Sequence, residues 1–467
     1  MAVSWVQLLR GGNAARSAVV GGSMVLHALN TFIVATILPS VVREIGGLRY
    51  FAWSTVLYVV ASLLGGATAA RLLQRLGARR TYRCALGGFA AGSIACALAP
   101  VMPALLAGRF VQGLGAGTLS ALCFMMVRML FPAPLWPPAL ALVSVVWGGA
   151  TLLGPAVGGV FAQYASWRAA FWTMAAVTPL LLLLVERALP PGLARPRPTG
   201  APPVLNLLLL AGSVLAVSAG SMTGAAGWNA LGVAVAVAGL VIFARREAAE
   251  GGVLPTGATR PAAPLATVYA AMLLMIAATT PEIFVPYFLQ ALHGLVPVHA
   301  GYLSALMSAG WTLGSVSSSG AGGARARAAI TAGPVAMASG LAGLALLMPQ
   351  AAAPLIALAG IAAALLTLGF GIGLAWPHLA ARVFGFGAES EREVAGASIT
   401  LVVMVGSAFG AAFGGMVTNL AGLTVPGGTA GATSAASWLF SVFILAPTLA
   451  ALAIRRLPTV VRPAAVP

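Results

Sequence analysis

The chain has 467 residues, of which 60% are hydrophobic and only 7% are charged, and its mean hydropathy is +0.99. This composition excludes a soluble globular protein and predicts an integral membrane protein. All 25 basic residues are Arg and all 8 acidic residues are Glu, which gives a net charge of +17. Such a charge also suits nucleic-acid binding, but the apolar background favours a lipid bilayer as the partner, and no nucleic-acid partner is expected.

Fourteen apolar stretches have the length of about 20 residues that a helix needs to cross the hydrocarbon core. Arg, Pro or Gly clusters bound them, and the seventh and eighth are the least sharply bounded because small and polar residues fill 218–227. The first stretch is expected to be an uncleaved helix, since thirteen more follow. The predicted helices cover 18–41, 51–70, 82–101, 104–127, 138–162, 168–185, 204–222, 226–244, 265–290, 301–320, 328–348, 353–380, 394–420 and 436–454.

The arginines predict the orientation of these helices in the membrane. With fourteen crossings, 21 arginines fall on the side of the termini, Arg43, Arg49 and Arg168 fall on the other side, and Arg109 lies within a helix. Basic residues concentrate on the cytoplasmic side. We therefore expect a multi-pass protein of the cell (inner) membrane with both termini in the cytoplasm.

Two glycine-rich segments recur at one fixed offset. Residues 154–159 (GPAVGG) return as residues 410–415 (GAAFGG), and the glycines of 113–117 (GLGAG) return in 369–373 (GFGIG), each 256 residues later. Parallel duplication inside a polytopic membrane protein is typical of carriers.

The duplication also predicts the order of the helices. It relates the fourth predicted helix to the twelfth and the fifth to the thirteenth. The members of each pair are eight helices apart, which is two more than in a six-helix repeat. Pro39 and Pro286, 247 residues apart, relate the first to the ninth. The predicted plan is an N-terminal six-helix bundle (1–190), a linker region with two extra transmembrane helices (191–262) and a C-terminal six-helix bundle (263–467).

Two helix motifs carry a resemblance to a known family. One motif lies in the fourth predicted helix, in 105–117, and includes Gln112, Gly113, Gly115 and Gly117; the other lies in the fifth and comprises Gly154, Pro155, Gly158 and Gly159. In these motifs the chain resembles the major facilitator superfamily, and within it the fourteen-helix drug:proton antiporters, over essentially its full length. The resemblance identifies the second motif as the fifth-helix antiporter motif, and it implies an all-α integral membrane fold of 6+2+6 helices and transport by alternating access.

The chain departs from the family pattern at two places. In the loop motif of 70–80, Arg75, Gly77, Arg79 and Arg80 match, but Gln74 stands where Asp is usual. In the first helix, Asn30 replaces a carboxylate that the family uses in proton coupling. A proton carrier must therefore lie elsewhere.

Two charged residues lie well inside predicted helices, where a charge costs at least about 2.5 to 3.5 kcal/mol. Glu282 is predicted to be a proton site; the alternative is a hydrated, idle carboxylate near the outer surface. Arg109 is predicted to set the electrostatics of the cavity; its alternative role is a buried donor that ties helices together. His27, three residues before Asn30, either substitutes for the missing carboxylate or is a neutral, hydrogen-bonded helix residue.

Other residues have weaker signals. Trp147, Tyr287, Gln290 and Trp311 are candidates for a substrate cavity, although aromatic residues at membrane depth often serve packing. The fifth-helix glycines allow close helix packing, and Pro155, which is Ala411 in the repeat, predicts a bend specific to the N-terminal half. Glu391 and its acidic neighbours are expected to be solvated, and the three cysteines are expected to be buried.

The sequence predicts a secondary active transporter that exports a lipophilic small molecule in exchange for protons. The alternatives are an uncoupled facilitator or uptake carrier, and a non-transporting receptor on a carrier fold. No Ser/His/Asp set, metal-ligand cluster or phosphate-binding loop is present, so neither enzymatic activity nor a metal or cofactor is expected. The transport pathway lies within one chain in such folds, and a monomer is expected.

Overall fold

The computed structural model describes residues 5–191, 193, 204–222, 225–350, 355–386 and 391–457. This part of the chain is helical and contains no strands. Its long helices are α1 (Gly12–Ile45), α2 (Phe51–Leu76), α3 (Ala78–Ala97), α4 (Met102–Leu130), α5 (Trp136–Tyr164), α6 (Trp167–Ala188), α7 (Val204–Gly220), α8 (Ala226–Glu250), α9 (Pro264–Ala291), α10 (Pro297–Ser318), α11 (Gly323–Leu347), α12 (Leu355–Phe386), α13 (Arg392–Leu420) and α14 (Gly428–Ile454).

Each predicted stretch falls on one of these helices. Eleven of the described helices are long and apolar enough to cross a membrane. The other three are α3, whose first turn is rich in arginine, the more polar α10, and α7, which has 17 residues. The predicted all-helical membrane fold is confirmed.

The chain forms two compact units. Unit 1 comprises residues 1–47, 57–202 and 296–301, and unit 2 comprises residues 48–56, 203–295 and 302–467. Unit 1 therefore holds α1, most of α2 and α3–α6, whereas unit 2 holds α7–α9, most of α10 and α11–α14. The two extra helices α7 and α8 belong to unit 2.

In unit 1, glycines let α4 touch the backbones of two neighbouring helices. A Cβ at Gly113 or Gly117 would lie 2.4 Å from the carbonyl oxygen of Tyr58 or 1.9 Å from that of Ser62, both on α2. A Cβ at Gly115 would lie 2.5 Å from a carbonyl oxygen of α3. Because no larger residue fits, these glycines fix how α4 packs between α2 and α3.

In unit 2, α12 uses the equivalent glycines in the same way. A Cβ at Gly369 or Gly373 would lie 1.8 Å or 2.1 Å from a carbonyl oxygen of α10, and one at Gly371 would lie 2.5 Å from a carbonyl oxygen of α11. The 256-residue offset in the sequence therefore corresponds to a repeated packing arrangement.

Helix α9 is interrupted by a 3₁₀ turn over Thr280–Phe284. Pro281 and Pro286 have no N–H group and cannot continue the α-helical ladder. The Thr280 hydroxyl donates to the carbonyl oxygen of Ala277 at 2.7 Å, and the Val285 N–H donates to that of Glu282. These bonds satisfy carbonyls at the break, which is a requirement at membrane depth.

Candidate functional site

A buried arginine is the centre of a polar cluster in unit 1. Arg109 on α4 is only 2% exposed. Its Nη1 donates hydrogen bonds to Oδ1 of Asn30 on α1, at 3.1 Å, and to Oε1 of Gln112 one turn further along α4. Its guanidinium carbon lies 4.1 Å from the centre of the Tyr58 ring. The charge is thus held by amide oxygens and an aromatic face.

The amide side chains of this cluster have a fixed orientation. Asn30 and Gln112 are fully buried, and both present their oxygen to Arg109, which can only donate. Gln112 then uses its Nε2 to donate to Oγ of Ser93 on α3 at 2.8 Å. The cluster therefore joins α1, α3 and α4 through one connected set of hydrogen bonds.

An aromatic group extends the cluster along α1 and α5. The Tyr58 hydroxyl is 3.0 Å from Nδ1 of His27, and the Trp147 ring meets the His27 ring edge-on at a centroid distance of 6.0 Å. Phe32 packs on the same tryptophan at 6.1 Å. The structure therefore connects His27, Asn30, Arg109 and Gln112, which the sequence had singled out separately, and it adds Tyr58 between them.

The two glutamates of unit 1 bind arginines at helix ends. Glu44, near the end of α1, pairs with Arg168 and accepts from Nε1 of Trp167 at 2.7 Å. Glu186, near the end of α6, accepts from Nε of Arg83 at 2.7 Å. Both carboxylates of unit 1 thus serve the ends of the bundle, whereas the buried Arg109 is bound by neutral groups.

The loop motif lies at one of these helix ends. Gly77, with φ of +77°, precedes α3, and Arg79 donates from Nε to the carbonyl oxygen of Leu189 at 2.8 Å. Gln74 is half-buried, whereas Arg75 and Arg80 are exposed. The motif fixes the turn between α2 and α3 and attaches it to the end of α6.

The glycines of the α5 motif pack against backbone or Cβ atoms. A Cβ at Gly154 would lie 2.3 Å from the Cβ of Phe32, and one at Gly158 would lie 2.9 Å from the carbonyl oxygen of Ile33, both on α1. A Cβ at Gly159 would lie 2.6 Å from the Cα of Val298 in the first turn of α10. This geometry agrees with the packing interpretation of the motif, and α5 continues as a helix through Pro155.

In unit 2, Glu282 lies within the 3₁₀ turn of α9 and is half-buried. Its carboxylate makes no hydrogen bond or ion pair with any other residue that the structure describes. The turn packs on α13, where a Cβ at Gly410 would lie 2.4 Å from Oγ1 of Thr280. The backbone of the turn thus fixes the position of the glutamate, while its carboxylate has no partner among the described residues.

The four cavity candidates are divided between the two units. Trp147 belongs to the aromatic group of unit 1. Tyr287 packs in unit 2 against Phe51, at a ring distance of 5.6 Å, and Trp311 packs edge-on against Trp376 at 6.0 Å. Gln290 is half-buried one turn beyond Tyr287. Each aromatic side chain among them therefore has a packing role.

A duplicated bundle of membrane helices with a buried charged cluster is the architecture of a polytopic carrier. The chain belongs to the Major Facilitator Superfamily, whose family model matches residues 20–411. It is 38% identical over 459 residues to a probable multidrug-efflux transporter of Mycobacterium tuberculosis, a match that covers 96% of this chain and 95% of that protein. It is also 29% identical to the tetracenomycin C resistance and export protein of Streptomyces glaucescens, over 60% of this chain and 53% of that protein.

Solved structures share the fold at low sequence identity. A D-xylose–proton symporter superposes with a TM-score of 0.67 at 15% identity, covering 97% of this chain and 100% of the symporter. A POT family transporter superposes with a TM-score of 0.65 at 15% identity, covering 94% and 97%. Membership of the family, together with the 38% identical relative, identifies the protein as a multi-pass membrane transporter for a small molecule, embedded in a lipid bilayer, rather than an enzyme.

Proposed function

We propose that the protein exports lipophilic small molecules across the cytoplasmic membrane in exchange for protons, by alternating access. The position of Glu282 carries this proposal. A carboxylate at membrane depth that binds no described side chain is free to exchange a proton with a water-filled pathway. The resemblance to a probable multidrug-efflux transporter over 96% of the chain supports the direction of transport.

Arg109 has a different part in this proposal. Its partners Asn30, Gln112 and Tyr58 are neutral, so the guanidinium keeps a fixed positive charge in the core of unit 1. We propose that this charge sets the electrostatic potential of the substrate pathway. The aromatic side chains of Tyr58 and Trp147 then offer apolar surface for a flat substrate.

Proteoliposomes with an imposed pH gradient test the proton site. Two probes suit the purpose: ethidium, a lipophilic cation, and tetracenomycin C, which the export protein of Streptomyces glaucescens is named for. Glu282→Gln is expected to abolish proton movement that depends on the probe, whereas Glu250→Gln, at the exposed end of α8, is expected to leave it intact. Proton movement that persists in Glu282→Gln would disprove the assignment.

An uncoupled facilitator or uptake carrier is the second candidate. It is favoured by Asn30, an amide that binds Arg109 where the family uses a carboxylate. The same vesicles distinguish the two functions, because a facilitator moves the probe at a rate independent of the pH gradient and of the membrane voltage.

The orientation of the chain completes the proposal. The bias of 21 arginines to 3 supports cytoplasmic termini. A fluorescent-protein or alkaline-phosphatase fusion at each end reports the side, and phosphatase activity at either terminus would disprove this topology.

A further inference from the structure

The two extra helices of unit 2 are attached to α13 at both of its ends. We propose that the α7–α8 hairpin is a brace that holds α13 against α9 and moves with it as one body. The residues of this brace lie outside the polar cluster and outside the 3₁₀ turn of Glu282.

The hairpin is itself a rigid element. A Cβ at Gly220 would lie 2.5 Å from the carbonyl oxygen of Trp228, and one at Gly232 would lie 2.5 Å from that of Ala216, so α7 and α8 touch backbone to backbone. Such close contact requires small residues and leaves the pair little freedom to slide.

A buried glutamate at the end of the hairpin joins α7, α8 and the loop that follows α8 by hydrogen bonds. Glu247 is 6% exposed, and its carboxylate accepts from Nδ2 of Asn206 on α7 at 2.7 Å. It also accepts from the backbone N–H groups of Val253 and Leu254, at 2.7 and 2.6 Å. These charge-assisted bonds fix the loop that follows α8 to the hairpin.

The same loop then binds the first turn of α13. The backbone N–H of Thr256 is 3.2 Å from both carboxylate oxygens of Glu391, and its hydroxyl donates to Oε1 of the same residue. The loop and this turn border a cavity of about 300 Å³, which Val394 also lines. The cavity limits direct packing between the loop and α13. The hydrogen bonds to Glu391 therefore hold this end of α13 to the hairpin.

The far end of α13 has its own attachment. Nδ2 of Asn419 donates to the carbonyl oxygen of Ser221, just beyond the end of α7, at 3.4 Å, and to that of Arg49 at 3.2 Å. Between the two attachments α7 packs along α13, and Gly406 and Gly410 of α13 pack against α9. Helix α13 therefore contacts both the brace and the helix that carries Glu282.

Hydrogen–deuterium exchange of the full-length protein in lipid nanodiscs tests the brace. Glu391→Gln weakens one attachment, because the amide keeps an acceptor oxygen but loses the charge, and Asn419→Ala removes the other. Each is expected to raise amide exchange at its own end of α13 by about threefold or more. Glu250→Gln repeats the change of Glu to Gln, and Thr259→Val changes a neutral polar residue; both line the cavity beside Glu391 without touching either attachment. These two controls are expected to match the wild type.

The double variant separates a brace from two local contacts. The attachments are about 40 Å apart along the helix, and changes at that separation are normally additive. If both hold one rigid body, the double variant raises exchange at the centre of α13, around Gly410, by more than the product of the two single effects. A purely multiplicative result, or an unchanged centre, would overturn the proposal.

A reversible cross-link keeps the test usable if Glu391→Gln fails to fold. In Thr256→Cys/Glu391→Cys, with the exposed Cys84 replaced by Ser, the disulfide is expected to preserve wild-type exchange along α13, and dithiothreitol is expected to raise it. Equal exchange in the oxidised and reduced protein contradicts the brace. Neither measurement uses transport, so a failed brace and a failed proton antiport are distinguishable.

Discussion

Substitution of Gly117 by Ala measures how closely α4 and α2 must approach. The new Cβ would lie 1.9 Å from the carbonyl oxygen of Ser62, whereas a close carbon–oxygen contact is about 3.3 Å, so the helices must separate by about 1.4 Å. That shift also stretches the hydrogen bond from Ser62 Oγ to the carbonyl oxygen of Gly113 and the bond from Thr118 Oγ1 to that of Gly65, both 3.1 Å long.

The expected loss of stability follows from these two effects. Overpacking costs about 1 to 3 kcal/mol, and a clash with backbone belongs near the upper value because no side chain can rotate away. Two weakened interhelical hydrogen bonds add about 0.6 kcal/mol each. We therefore expect Gly117→Ala to lower the free energy of unfolding by about 3 to 4 kcal/mol.

Denaturant unfolding in detergent micelles, with matched variants, checks this value. Gly148→Ala on α5 is the control, because its Cβ would meet no atom within 4 Å, and it is expected to be neutral or slightly stabilising. Gly373→Ala, at the equivalent position of α12, would place its Cβ 2.1 Å from the carbonyl oxygen of Trp311 and should match Gly117→Ala. If Gly117→Ala stays within about 0.5 kcal/mol of Gly148→Ala, the packing argument is wrong.

Three further outcomes are expected in the same unfolding measurement. Arg109→Lys loses the planar guanidinium that binds two amides and stacks on a ring, and it should lower the free energy of unfolding by about 1 to 3 kcal/mol. An unchanged free energy of unfolding would show that those contacts contribute nothing. Tyr58→Phe keeps the ring but loses the bond to His27, and it should cost about 1 kcal/mol, so a larger loss than that of Arg109→Lys would contradict the assigned geometry. Glu247→Gln removes the charge from a buried carboxylate that accepts three hydrogen bonds, and it should lower the free energy of unfolding by about 1.5 to 3 kcal/mol, whereas the exposed Glu250→Gln should be neutral. Equal effects of the two substitutions would contradict this argument from burial.

The helices were predictable from sequence because hydropathy and length alone define a crossing segment. Several helices extend beyond the predicted bounds, as α1 does, which runs from Gly12 to Ile45 rather than from 18 to 41, whereas α3 ends at Ala97 rather than at 101. Helical hydrogen bonding continues into the interfacial region, where a hydropathy criterion stops. The duplicated glycines were equally predictable, since their spacing can be read directly.

The partners of Arg109 were not predictable in the same way. Asn30 lies 79 residues away in sequence. Periodicity predicts which residues share one face of a helix, but not which residue of a neighbouring helix packs against that face. Tyr58 was missed as the link to His27 because an aromatic residue in an apolar helix resembles packing until its hydroxyl has a partner. The signal available in the sequence was that polar residues such as His27 lie at the same membrane depth as Tyr58 and need hydrogen-bond partners.

One sequence-based expectation was wrong and another was incomplete. Glu391 is half-exposed, as expected of a solvated residue, but it also accepts hydrogen bonds from Thr256, because a loop that is remote in sequence returns to the start of α13. Cys84 was expected to be buried, like Cys96 and Cys123, yet it is exposed. Average hydropathy does not reveal which side of α3 faces outward.

The 3₁₀ turn of α9 changes the angular phase of every residue that follows it. A 3₁₀ helix advances about 120° and 2.0 Å per residue, against 100° and 1.5 Å in an α-helix. Over the five residues of Thr280–Phe284 the difference amounts to about 100° and about 2.5 Å. A helical wheel drawn from Ala277 therefore assigns Tyr287 and Gln290 to the wrong sector, and a cysteine-accessibility scan along α9 should show two periodic patterns offset by about a quarter turn.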